Sequence, residues 1–196
     1  ESGVPQISAT VSGGYNNLRQ SDNYQLQYSY GQRVQNFGFN VNGSYYINNQ
    51  GSDNMEFKYA KGPFWGSTGD GKDNYYVQYR EAQLRYYEIT RKRLGIRTTL
   101  DYEFDKNSSI YLRGMFNSFS DDEIRRRKIY ELDDALSFNY YLYGGIEHDV
   151  RARNKKQDIS TISLGGENKF SFLEINYELS YGIANENQPD YFEVRF

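Results

Sequence analysis

The sequence predicts an all-β chain of about seven antiparallel strands, an up-and-down segment of a transmembrane β-barrel too short to close on itself. Three observations carry that prediction. Apolar and polar residues alternate with period two, so that each strand shows different environments to its two faces. Several alternating runs extend over about ten residues or more, whereas soluble strands usually run ~5–6 and a tilted membrane-spanning strand needs about 9–11. The connections are by turns short and long, as in barrels with tight turns on one side of a membrane and extended loops on the other.

In the first segment Ile7, Ala9, Val11, Gly13 and Tyr15 share one face, while Gln6, Ser8, Thr10, Ser12 and Asn16 share the other. The second sets Tyr24, Leu26, Tyr28 and Tyr30 against Gln25, Gln27 and Ser29. The third sets Phe37, Phe39, Val41, Gly43, Tyr45 and Ile47 against Asn40, Asn42, Ser44 and Asn48. In the fourth, Leu94, Ile96, Thr98, Leu100, Tyr102 and Phe104 oppose Arg97, Thr99, Asp101 and Glu103. The fifth places Ile110, Leu112, Gly114 and Phe116 opposite Tyr111, Arg113, Met115 and Asn117. The sixth is weaker, with Ile162 and Leu164 against Thr161, Ser163 and Glu167. The seventh runs Leu173, Ile175, Tyr177, Leu179, Tyr181 and Ile183 against Glu174, Asn176, Glu178 and Ser180.

Short links fall at Val34-Gln35-Asn36, at Asp105-Lys106-Asn107-Ser108 and near Phe170-Ser171. The Asp/Asn/Ser-rich second link is a strong turn sequence, because those side chains hydrogen-bond their own backbone. Between them the connection from Leu18 to Asn23 is modest, that from Asn49 to about Tyr79 is long, and that from Asp121 to about Asp158 is longer still. With the short turns on the periplasmic side, the outer ends of segments three to seven run into charged sequence and project beyond the bilayer.

Composition narrows the function classes. Aromatic residues make up 17% of the chain, which argues against disorder. Tyrosine-rich, aliphatic-poor sequence suits membrane interfaces, where a ring has one apolar and one wet side. The net charge of −3 gives no electrostatic case for nucleic acid. The absence of cysteine excludes disulfides and thiolate metal sites. His148, the single histidine, leaves neither a His-based metal centre nor a Ser-His pair, so no enzyme, cofactor or metal is expected. No apolar run is long enough for a transmembrane helix. The chain opens Glu1-Ser2-Gly3-Val4-Pro5 and closes on Phe196 within a continuing pattern. Residues 1–196 therefore read as a partial β-barrel domain of a larger polypeptide.

Particular stretches resemble a known family. Gly13-Gly14-Tyr15-Asn16-Asn17, then Tyr24 to Gly31, then Phe37-Gly38-Phe39 look like the first barrel strands of TonB-dependent receptors. Gly51-Ser52-Asp53-Asn54-Met55-Glu56-Phe57 fits their first long loop. Thr98 to Tyr102, Asn107 to Asn117, Asp121-Asp122-Glu123 and Arg125-Arg126-Arg127 are similar to their fourth and fifth strands. Ser163 to Asn168 and Tyr177 to Tyr181, ending near Pro189-Asp190, resemble a later hairpin. The resemblance implies a Gram-negative outer-membrane barrel of about 22 strands, with an N-terminal plug and a TonB box. Plug, TonB box and remaining strands are expected outside these residues. It also implies import of a scarce nutrient, a siderophore, cobalamin or glycan, powered by TonB acting through the plug. Outer-membrane lipid is the implied surrounding, and a surface lipoprotein partner is compatible with it.

Candidate residues follow from these faces. Arg97, Asp101, Glu103, Arg113 and Glu178 lie on polar rows and point into the lumen, where they would meet the plug or line a solvated wall. Trp65, Tyr75 and Tyr76 in the first long loop are candidates for stacking on a sugar or other ligand, or for packing a loop lid. The run from Asp121 to Lys128 reads as a solvated strand extension, since charge runs usually mark exposed faces. Asp70-Gly71-Lys72-Asp73-Asn74 lacks the spacing of a calcium loop. The rival expectation is a soluble all-β carbohydrate-binding or adhesion module. It would bury Leu94, Ile96 and Leu100 against Leu173, Ile175 and Leu179 in a sandwich core.

Overall fold

The computed structural model describes the backbone of residues 3–67, 73–132 and 144–196, with their side chains apart from those of 60–67, 73–76 and 78. The strands are β1 (Gln6–Asn16), β2 (Ser21–Val34), β3 (Phe37–Ser67), β4 (Asp73–Asp105), β5 (Ser108–Glu131), β6 (Gly145–Lys169) and β7 (Glu174–Arg195). They form one sheet in the order β1-β2-β3-β4-β5-β6-β7, with β1 and β7 as its outer strands. Each strand lies beside its sequence neighbour, so the topology is the antiparallel up-and-down meander expected of an incomplete barrel. No helix occurs among the described residues.

The first three strands show why the period-two pattern survives folding. Ile7 pairs with Tyr30, Val11 with Leu26 and Gly13 with Tyr24, so apolar residues of β1 meet apolar residues of β2 on one face. Tyr24, Leu26, Tyr28 and Tyr30 then pair with Ile47, Tyr45, Gly43 and Val41 of β3. A one-residue slip would carry every one of these side chains to the other face, which fixes the register. Val34 pairs with Phe37, leaving Gln35-Asn36 as a two-residue turn with Gln35 at φ 53°. A positive φ at the first turn position matches the twist of the flanking strands.

Two regions depart from expectation. The spans read as long connections, Asn49 to about Tyr79 and Asp121 to about Asp158, are largely strand. β3 continues to Ser67, β4 begins at Asp73, β5 reaches Glu131 and β6 begins at Gly145. The cause is visible in the side chains, where Lys58 pairs with Glu81 at 2.8 Å and Arg85 with Glu56. Cross-strand ion pairs hold the ladder where no apolar pattern announces it.

The chain divides into two compact units. Unit 1 comprises Glu1–Gln50, Ile89–Asp122 and Asn154–Asp190; unit 2 comprises Gly51–Glu88, Glu123–Arg153 and Tyr191–Phe196. Neither has an ordinary core. Ile129, in unit 2, is the one buried hydrophobic side chain among the described residues. In unit 1 the apolar rows are exposed: Val11 is 79% exposed, Leu179 78% and Ile162 52%. Of the residues a sandwich would bury, Leu94, Ile96, Leu173, Ile175 and Leu179 are exposed and Leu100 is only half-buried, so that core is not formed. An apolar surface of this extent is rare in a soluble monomer.

Candidate functional site

The polar face of unit 1 is built from the opposite row of each strand. It carries a hollow of about 370 Å³ to which β1 through β5 all contribute, among them Thr10, Gln27, Asn42, Arg97 and Asn117. A second hollow of about 420 Å³ draws on β3 to β6, with Arg93, Phe119, Gln157 and Ile159. Hollows shared by four or five neighbouring strands on this face give the unit a concave polar side.

Glycines organise that face. Gly38 on β3 leaves room for Arg33 of β2 to reach over it and pair with Asp101 of β4; a Cβ there would strike both side chains. Arg33 also pairs with Glu103 at 3.2 Å. Gly165 on β6 does the same for Tyr111 of β5, whose hydroxyl donates to Glu178 of β7 at 2.7 Å. Arg113, stacked on the Tyr111 ring at 3.8 Å, donates to the same carboxylate at 3.2 Å, and the Ser180 hydroxyl donates to it at 3.0 Å. Each arrangement ties two strands together across the strand between them. The neighbouring glycines serve the apolar face: Tyr177 lies over Gly166, and Tyr28 over Gly43.

Of the expected lumen-facing residues, Asp101, Glu103, Arg113 and Glu178 thus enter two charge clusters, while Arg97 lines the first hollow without a carboxylate among the described residues. The clusters bring together residues far apart in sequence. The side chains of Trp65, Tyr75 and Tyr76 lie outside the described residues, as do Asp70, Gly71 and Lys72 and the side chains of Asp73 and Asn74. His148 is exposed and stacks on Phe196 at 5.8 Å. Among the described residues no group of His, Asp and Glu is placed to hold a metal ion.

Unit 2 has its own polar face, and here the reading of a solvated charge run needs correcting. Along Asp121 to Lys128 the run alternates: Glu123 and Arg125 are buried, at 7% and 8% exposure, while Ile124 and Arg126 are exposed. Arg125 donates to Asp149 at 2.8 Å and to Glu193 at 3.0 Å, and Arg127 donates to the other oxygen of Asp149 at 2.8 Å. Glu123 accepts from Arg151 and, at 2.7 Å, from Arg153. Asp149 is 1% exposed. Burial alone would raise its pKa, but the hydrogen bonds from Arg125 and Arg127 outweigh that and hold the carboxyl below its ordinary range. Asp149 sits 22 to 24 residues from its arginines in sequence, so the network was not legible from any local motif.

No known protein family, no curated protein and no solved structure matches this chain.

Proposed function

We propose that this chain is part of the wall of a Gram-negative outer-membrane β-barrel of the TonB-dependent receptor type, which imports a scarce nutrient. One observation carries the reading. On the exposed face of unit 1 the longest apolar rows, Phe37 to Ile47 and Leu94 to Phe104, each span ten residue steps, and Tyr24 to Val34 spans the same length with Gln32 as its one strongly polar member. At ~3.3 Å per residue and a tilt of about 40°, such a row rises ~25 Å, the height of the apolar band on outer-membrane barrels. The register sets Tyr24 beside Ile47 and Val34 beside Phe37, so the band's two edges line up between β2 and β3.

Aromatic rings gather at both edges. Phe37, Phe39, Tyr30, Tyr102 and Phe104 cluster at the short-turn end, with Tyr30 on Phe39 at 5.2 Å and Tyr102 on Phe104 at 5.1 Å. Tyr15, Tyr24, Tyr45 and Phe116 lie at the far end. Paired girdles of this kind mark the two membrane–water interfaces. The concave polar face supports the same reading, since a barrel of this size encloses a polar lumen.

In this reading the paired clusters at Asp101 and Glu178 stiffen the barrel wall, and the charged sequence at the outer strand ends contributes to the vestibule in which ligand is met. Transport then requires a plug and TonB, with a siderophore, cobalamin or glycan as the ligand class and a surface lipoprotein as a compatible partner. Heat-modifiable migration of the intact protein tests the assignment. A folded form that runs apart from the boiled form and needs detergent is expected. A protein that stays freely soluble and monomeric without detergent contradicts it.

A further inference from the structure

We propose that Gly95 on β4 marks a third glycine window on the polar face, and that Arg93 and Arg97 on either side of it hold an external oxyanion, a carboxylate or phosphate. The proposal rests on reading this face as the wall of an enclosed passage. The first two windows share a plan: a glycine on the middle strand, a donor from one neighbour, and a carboxylate from the other. At Gly38 the donor is Arg33 and the acceptor Asp101; at Gly165 they are Tyr111 and Glu178.

Gly95 has the same setting and lacks the carboxylate. A Cβ built there stands 3.0 Å from both Ser44 Oγ of β3 and Asn117 Oδ1 of β5, so side chains from the flanking strands again converge over it. Neither of them is an acid. Arg93 and Arg97 are the nearest same-face positions of β4, about 13 Å apart along the strand. Neither has a carboxylate partner among the described residues. Among the described residues, the other strand cations on this face of unit 1 are committed: Arg33 to Asp101, Arg91 to Asp121 at 3.2 Å, Arg113 to Glu178 at 3.2 Å, Lys155 to Glu186 at 3.0 Å and Lys169 to Glu174 at 3.7 Å.

The two unpaired guanidiniums are also well placed. Arg93 lies over the Phe119 ring at 5.3 Å, which limits its rotamers without neutralising it. Arg93 lines one hollow and Arg97 the other, and the two hollows share Ser44, Gly95 and Asn117 as their common border. A ligand bridging that border meets a guanidinium fork at each end and the Ser44 hydroxyl, a donor, in the middle. Planar forks of this kind match carboxylate and phosphate geometry. The oxyanion comes either from a free solute or from an acidic side chain of polypeptide lying against this face.

Met115, in the first hollow and 40% exposed, offers a reporter position. In the intact protein purified in detergent, Met115→Cys is labelled with a sulfonate-bearing and with a trimethylammonium-bearing methanethiosulfonate. The same is done with Arg93→Gln and Arg97→Gln added. A free-solute site predicts that the ratio of sulfonate to ammonium rates falls roughly tenfold in the triple variant, and that millimolar citrate slows labelling only when both arginines are present. An acidic segment predicts that both reagents are excluded from Met115→Cys and admitted once the arginines are gone. Rates to both reagents that are unmoved by the double substitution overturn the proposal. The heat-modified band of the same preparations reports separately on whether the barrel reading stands.

Discussion

Tyr111 of β5 and Glu178 of β7 are hydrogen-bonded at 2.7 Å although β6 runs between their strands. The contact exists because Gly165, the β6 residue beneath it, has no side chain. A methyl group added there meets the Tyr111 ring and the Tyr177 carbonyl oxygen. Gly165→Ala is therefore expected to destabilise the sheet by roughly 1–3 kcal/mol, the usual cost of overpacking. Gly114→Ala, whose new carbon meets nothing within 4 Å, stays within about 0.5 kcal/mol of the parent. The temperature at which the folded band converts to the unfolded one ranks the two variants.

In unit 2 the ion pairs stand where an apolar core would be. Asp149 accepts from Arg125 and Arg127, and it is 1% exposed. Asp149→Asn leaves two largely buried guanidiniums short of their counter-charge, a change that typically costs about 3–5 kcal/mol. Limited trypsin digestion checks this. Cleavage at Arg125 to Lys128 and at Arg151 or Arg153 is expected to accelerate in the variant, with no comparable change after Arg113.

The same network sets a pH dependence. Hydrogen bonds from Arg125 and Arg127 hold the Asp149 carboxyl below its ordinary range against the effect of burial, and Lys58 holds Glu81 low despite its partial burial. Free carboxyls titrate near 3.9 and 4.3. Groups whose folded pKa is depressed stabilise fully above those values and lose the contribution as pH falls through the lowered ones. Trypsin-independent probes are needed in acid, so pepsin digestion or hydrogen exchange of β5 and β6 is measured from pH 7 downward. Protection is expected to hold to about pH 4 and to fall below it.

The two faces of β7 predict opposite responses to charge. Leu179 is 78% exposed on the apolar row, whereas Ser180 lies on the polar row and bonds Glu178. Leu179→Arg near the middle of the band costs ~2–4 kcal/mol on the lipid face of a barrel. Ser180→Arg is expected to be much milder, because the polar face already carries Arg113 beside Glu178. Yield of the heat-modifiable form in the membrane fraction separates them.

These side-chain relationships also show what was readable in advance. β1 was legible to the residue, because Gln6 to Asn16 alternates without interruption and no competing pattern exists. The tight turn between β4 and β5 announced itself through Asp105 and Asn107. Between Asn49 and about Tyr79 the continuation of β3 and the start of β4 were read as a connection, because charged side chains there sit on the polar row and their partners lie on other strands, as Lys58 does with Glu81. The Asp121–Lys128 run looked uniformly wet for the same reason: only the strand geometry separates buried Arg125 from exposed Arg126. The glycine windows link strands two apart, a spacing that no single segment encodes. The Gly165-Gly166 pair inside a strand was the one local clue, since interior strand glycines often mark close approach.

The central claim is that the apolar rows of unit 1 face lipid and the polar rows face an interior. Nitroxide scanning of Ile175 to Ile183 in the intact protein, reconstituted in bilayers, tests it most directly. Labels at Ile175, Tyr177, Leu179, Tyr181 and Ile183 are expected to be mobile and accessible to oxygen but shielded from a water-soluble nickel chelate. Labels at Asn176, Ser180 and Gly182 are expected to show the reverse. Oxygen and nickel accessibilities that fail to alternate with period two, or odd-numbered labels immobilised against protein, contradict the account.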